Sequence, residues 1–97
     1  MLHETPRVLK VPESLALSSP DFDKALLIVD LSGVDTLDPH FLAELARIRV
    51  RRRRKGLPLG RLVIDSQHVR NALMAVGFER YWPIYRTCEE AIRSFHA

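Results

Sequence analysis

Asp30, Ser32, Asp35, Thr36 and Asp38 fall within ten residues, Asp30-Leu31-Ser32-Gly33-Val34-Asp35-Thr36-Leu37-Asp38-Pro39. Carboxylates and hydroxyls this close together suit acid–base or phosphoryl-transfer chemistry, or a polar recognition surface. The enzymatic options find little support. An aspartyl-phosphate site wants two acids one residue apart at a strand end, whereas Asp30 is followed by Leu31 and Ser32. A phosphate-cradling loop needs Gly-x-x-x-x-Gly-Lys-Ser/Thr, and Lys55-Gly56-Leu57-Pro58-Leu59-Gly60 lacks the Lys-Ser that must follow. Four scattered glycines supply no Gly-x-Gly-x-x-Gly fingerprint. His3, His40, His68 and His96 show no metal-ligand spacing to one another or to Cys88. No catalytic residue, metal or cofactor is therefore expected. The acids also have structural roles open to them: Asp38 as a helix cap, Asp35 as a turn former, Asp30 and Asp65 as strand ends. His40 reads as a solvated residue of a first helical turn.

The elements around this stretch give it a place. Leu26 to Val29 do not alternate with polar residues, so both faces of a strand at about 26–31 are expected to be buried, as in a central parallel strand. Functional loops of such sheets gather at the carboxyl ends of the strands. Asp38-Pro39 starts a helix, with Asp as cap and Pro where no N–H is needed. Phe41, Leu42, Leu45, Ala46 and Ile48 form its apolar stripe, and Gly56 and Pro58 end it. Arg7 to Val11 predicts a first strand closed by Pro12, and residues 12 to 25 read as a loop with at most one short helix. Leu62-Val63-Ile64 predicts a strand ending at Asp65. Ser66 then caps a helix with Val69, Leu73 and Val76 inward, stopped by Gly77. Trp82 to Tyr85 predicts a strand, which Pro83 makes an edge strand or one with an irregular start, and Thr87-x-x-Glu90 a capping box before a helix with Ala91, Ile92 and Phe95 inward. The alternation implies one α/β domain over residues 1–97, with a small, mixed or mainly parallel sheet of about four strands and three to four helices.

Composition bounds the partners. The chain has 97 residues, 46% hydrophobic and 28% charged, which suits a small folded domain rather than a disordered one. No apolar run reaches the ~20 residues of a membrane span, so no membrane insertion is expected. The N-terminal residues lack a secretory pattern, and the single cysteine allows no internal disulfide; both lead to a cytoplasmic expectation. The net charge of +3 hides an asymmetry. Seven of the fifteen basic residues lie between Arg47 and Lys55, leaving eight against twelve acids, or −4, for the rest. Arg51, Arg52, Arg53 and Arg54 form a candidate basic patch at the end of the helix begun at Asp38. Cations there complement the helix dipole, and no aromatic interleaves them to stack on bases. Nucleic acid through Arg47–Lys55 is therefore the lesser reading, with docking to an acidic protein between the two.

The order of the whole segment Asp30 to Asp38 resembles the signature of STAS domains, the family of bacterial anti-sigma factor antagonists. The likeness continues through Gly56, Arg61-Leu62-Val63-Ile64, Val69 to Phe78, Trp82-Pro83-Ile84-Tyr85 and Glu89-Glu90-Ala91-Ile92, covering about residues 26 to 93. It implies a STAS-like fold with a divergent, shortened segment 1–25. It also implies a non-enzymatic module in a partner-switching pathway, bound to an anti-sigma factor or serine kinase-like protein, with homodimerisation left open. The partner-binding residues it points to are Ser32, Thr36, Asp38, Pro39 and His40. The alternative within the family is a small STAS subunit of a lipid or anion transporter. Members that switch by phosphorylation carry Ser or Thr directly after the Asp of the helix start. Pro39 occupies that position here and has no hydroxyl, so the nearest candidate phosphoacceptors are Thr36 and Ser32, neither at the matching place.

Overall fold

The computed structural model describes residues 5–10 and 20–96. Four strands, all parallel, lie side by side in chain order: β1 (Arg7–Lys10), β2 (Leu27–Asp30), β3 (Arg61–Val63) and β4 (Ile84–Tyr85). Three α-helices connect and cover them: α1 (Pro39–Arg54), α2 (Gln67–Ala75) and α3 (Cys88–Ser94). Two 3-10 turns, Pro20–Asp23 and Phe78–Arg80, complete the elements of the described residues. This is the expected α/β domain, with every described strand pair parallel. The expected strand end at Val11-Pro12 and most of the segment 12–25 lie outside the described residues. Its described end holds the turn Pro20–Asp23.

The register explains the two-sided burial of β2. Leu9, Val29, Leu62 and Ile84 are opposed in one row across the sheet, and this face packs against Leu45 and Ile48 of α1 and Val69 and Leu73 of α2. One residue along, Ile28 and Val63 point the other way, onto Ala91, Cys88, Ile92 and Phe95 of α3. Leu27, Ile28 and Val29 are all fully buried.

Helix boundaries follow local chemistry. Asp38, extended at φ −70 and ψ 132, accepts the His40 N–H at 2.8 Å, and Pro39 takes the first helical position. At the other end Gly56 turns left-handed (φ 71). The Leu57 and Gly56 N–H groups return to the carbonyls of Arg52 and Arg53 at 3.0 Å each, a Schellman closure. Ser66 accepts the Val69 N–H at 3.3 Å and caps α2. Thr87 accepts the Glu90 N–H at 3.2 Å and caps α3. The return bond of the expected capping box is replaced by a contact between the Glu90 carboxylate and the Thr87 hydroxyl.

Three expectations need correction. Val76 is 76% exposed, because α2 ends at Ala75 and the chain turns away from the core before it. Ala46 is exposed, being one position off the inward line of Leu45 and Ile48. Trp82 precedes the edge strand and is a core residue: its ring is fully buried and its indole N–H donates to the Leu45 carbonyl at 3.0 Å. Gly60 makes room for that ring, since a Cβ there would lie 2.4 Å from a Trp82 ring carbon.

Candidate functional site

The acidic loop leaves the carboxyl end of β2, where a parallel sheet also delivers the ends of β1 and β3 and the start of α3. Lys10 is paired in register with Asp30. Its ammonium lies 3.6 Å from Asp30 Oδ2 and donates to the Ser32 carbonyl at 3.2 Å. Asp30 Oδ1 accepts both the Ser32 N–H (2.9 Å) and the Ser32 hydroxyl (2.6 Å). The Cys88 thiol donates to Asp30 Oδ2 at 3.5 Å. Asp65, at the end of β3, accepts the Gly33 N–H at 3.0 Å. Gly33 sits at φ 85, a conformation that strains other residues. Three side chains, Lys10, Asp30 and Asp65, thus hold the turn 31–34, and Cys88 braces Asp30 from α3.

Electrostatics favour a charged Asp30 beside a neutral Cys88 thiol. Burial opposes ionisation of Asp30, but the two Ser32 bonds, the Cys88 thiol and Lys10 outweigh it and hold the carboxyl below its usual range. Burial, and then the Asp30 charge, push the Cys88 thiol upward. Cys88 is thereby kept as a thiol, not the thiolate a nucleophile requires. Among the described residues no group of three or more His, Cys, Asp or Glu could hold a metal ion.

Beyond the anchor the chain turns outward. Asp35, Thr36, Asp38, Pro39 and His40 are all exposed. Asp35, Thr36 and Leu37 face His68 and Ala72 of α2 across a shallow depression of about 220 Å³, floored by Leu42, Val69 and Leu73. Of the residues expected to meet a partner, Thr36 lines this depression, and Asp38, Pro39 and His40 are exposed just beyond it in the chain. Ser32 does not: it is half-buried, with its hydroxyl committed to Asp30. Lys10, Cys88 and Asp65 were missed as parts of one site. Only the strand register and the start of α3 bring them to Asp30, and no sequence spacing carries that information.

The arginine run is divided by role. Arg52 is 2% exposed and cannot belong to a surface patch. Its guanidinium donates to the carbonyls of Phe22 (2.8 Å), Lys24 (2.6 Å), Ala25 (2.9 Å) and Pro58 (2.9 Å). Arg51 and Lys55 both pair with Asp23, at 3.0 and 3.1 Å. Lys55 above all, then Arg51, lower the Asp23 pKa against the opposing effect of burial. Arg47 pairs with Glu44, and Arg49 lies over the Tyr81 ring at 4.3 Å. The patch proposed from sequence thus shrinks to exposed Arg53 and Arg54. No described helix is long and apolar enough to cross a membrane. Comparison with family models, with curated proteins and with solved structures found no match.

Proposed function

We propose that this protein is a non-enzymatic protein-interaction module, acting as an anti-sigma factor antagonist-like component of a bacterial partner-switching pathway. The observation that carries this reading is the outer rim of the acidic loop. Asp35 and Thr36 edge a shallow depression against α2, and Asp38, Pro39 and His40 are exposed further along the same segment, which leaves a turn held by Asp30 and Asp65. A preformed polar rim around an apolar depression suits a protein partner better than a small substrate. The carboxylate and thiol near it are used for anchoring. The expected partner is an anti-sigma factor with a serine kinase fold. Without a hydroxyl at position 39, that kinase has nothing to phosphorylate at the helix start, and binding persists in its presence.

The test uses the cognate anti-sigma kinase with and without ATP, measured by calorimetry and mass spectrometry. The wild-type chain should bind equally in both conditions and stay unmodified, whereas Pro39→Ser should gain phosphate and lose the partner. Phosphorylation of wild-type Thr36 or Ser32 with release of the kinase would refute constitutive binding. Capture of a transporter ATPase in place of the kinase would favour the transporter-subunit alternative. The nucleic-acid reading loses support from the burial of Arg52 and the internal pairing of Arg47, Arg51 and Lys55.

A further inference from the structure

The opposite end of the sheet holds a cleft with a different character. Gly60 leads into β3 and Trp82 lies just before β4, so the cleft sits at the amino ends of the strands, against the last turns of α1. Leu57, Pro58, Leu59 and Trp82 supply its apolar wall; Arg49 and Arg53 stand at its edge, with Arg52 behind them. Its volume is about 230 Å³. A dry cavity of about 150 Å³ accepts benzene, so there is room for one ring and a small charged group.

The charge balance of α1 selects the sign of that group. Asp23 neutralises Arg51 and Lys55, and Glu44 neutralises Arg47. Arg49 and Arg53 have no acidic partner among the described residues. Arg52 hydrogen-bonds only to neutral carbonyls, and the Nε–H groups of Arg49 and Arg52 are buried without an acceptor. Arg49, Arg52 and Arg53 therefore line one cleft without an ion pair to any of them among the described residues, and Asp23, whose charge acts on Arg52 from further off, is already shared by Arg51 and Lys55. The helix C-terminus nearby carries only about half a negative charge, and its last carbonyls are already occupied by the Schellman closure. We propose that this cleft binds a small organic anion, its carboxylate or phosphate held by Arg49 and Arg53 and its single ring or branched apolar body laid against Leu57 and Trp82.

This site is independent of the acidic loop and of the function proposed for it. Trp82 is the only tryptophan, so its indole N–H gives one NMR signal that reports on the cleft. Benzoate and phenyl phosphate, titrated separately into the ¹⁵N-labelled chain, distinguish the two headgroups, and benzamide is the neutral control. At least one anion should shift the Trp82 and Gly60 signals saturably, with Kd on the order of 1 mM, and benzamide should bind at least about tenfold more weakly. Arg53→Gln and Arg49→Gln should each weaken the anion about tenfold, while Arg54→Gln, outside the cleft, leaves it unchanged. Arg53 and Arg54 are exposed and Arg49 is half-buried, and unperturbed Trp82 and Gly60 signals in the free variants verify the fold. No saturable shift with either anion, equal binding of benzamide, or full affinity in both Arg53→Gln and Arg49→Gln overturns the proposal.

Discussion

Replacing Arg52 tests the most consequential structural assignment. Four of its five N–H donors serve four backbone carbonyls from two segments, residues 22–25 and Pro58, and the Nε–H has no acceptor. In Arg52→Met the aliphatic stem is kept and the donors are lost. Hydrogen bonds to a charged group contribute about 1.5–3 kcal/mol each. Four would sum to about 6–12 kcal/mol, but taking a guanidinium out of water costs several kcal/mol in return. The difference, about 3–5 kcal/mol, matches what removing one partner of a buried charged network usually costs. A domain of this size has about 5–15 kcal/mol in all, so the loss takes a large share. Urea unfolding followed by Trp82 fluorescence measures it. With a slope of about 1.5 kcal/mol/M the midpoint should fall by about 2–3 M. Arg52→Lys should fare nearly as badly, because one ammonium cannot span four acceptors, whereas Arg54→Met should stay within about 0.5 kcal/mol of wild type. An Arg52→Met variant within about 1 kcal/mol of wild type would refute the reasoning, and Arg52 would revert to a solvated helix-end cation.

Gly60→Ala places a methyl 2.4 Å from the Trp82 ring; chemical denaturation should show a loss of about 1–3 kcal/mol with altered Trp82 emission, and a neutral result contradicts the close approach. Asp23 and Asp30 have folded pKa values below their unfolded ones. They therefore contribute stability at neutral pH that disappears as pH falls below about 5 and through the lowered folded values. Asp30→Asn should flatten that acid limb in thermal melts, and an unchanged limb counts against the anchor. Cys88, its thiol pKa raised by burial and then by Asp30, should react with iodoacetamide at pH 7.5 roughly tenfold more slowly than free cysteine; Asp30→Asn should speed it, and reaction at the free-cysteine rate refutes the assignment. Asp65→Ala, at an exposed position, should leave the fold within about 0.5 kcal/mol but weaken the partner severalfold, because the turn at Gly33 must then be ordered on binding; equal affinity by calorimetry argues against a preformed loop.

The elements were legible because each is announced locally. The unbroken apolar run at Leu26–Val29, the Asp38-Pro39 start, the Gly56 stop and the Thr87 cap all depend on neighbours a few residues away. What escaped depends on distance in the chain. Lys10 meets Asp30 through strand register, Cys88 reaches it from 58 residues further on, and Asp65 reaches Gly33 across 32. Trp82 reads locally as the start of a strand, whereas its partners are the Leu45 carbonyl and the bare Cα of Gly60. Arg52 is a different kind of miss. Phe41, Leu45, Ile48 and Arg52 follow the i, i+4, i+7, i+11 line of one helix face, so the spacing pointed Arg52 inward. Its charge argued for solvent, and the four carbonyls that make burial tolerable lie in segments the spacing does not reveal.

The division of α1 into two ends bears on how the acidic loop would be regulated. At its start Asp38 already satisfies the His40 N–H, and Pro39 offers neither hydroxyl nor N–H. A phosphate added there in other proteins gains from the helix dipole and from free N–H groups; here the N-cap carboxylate competes for those same donors. Turn residues 31–34 are held by bonds to Asp30, Lys10 and Asp65, so little ordering cost remains for a partner to meet. On the proposed function, a preformed surface with no hydroxyl at position 39 would have its association set by partner supply rather than by its own modification. If the cleft at the far end of the sheet binds an organic anion, the two sites lie on opposite strand ends and share α1, whose first turn faces one and whose last turns wall the other. Any influence of the ligand on the partner must then pass along that helix, through Leu45 and Ile48 in the core, rather than through direct contact.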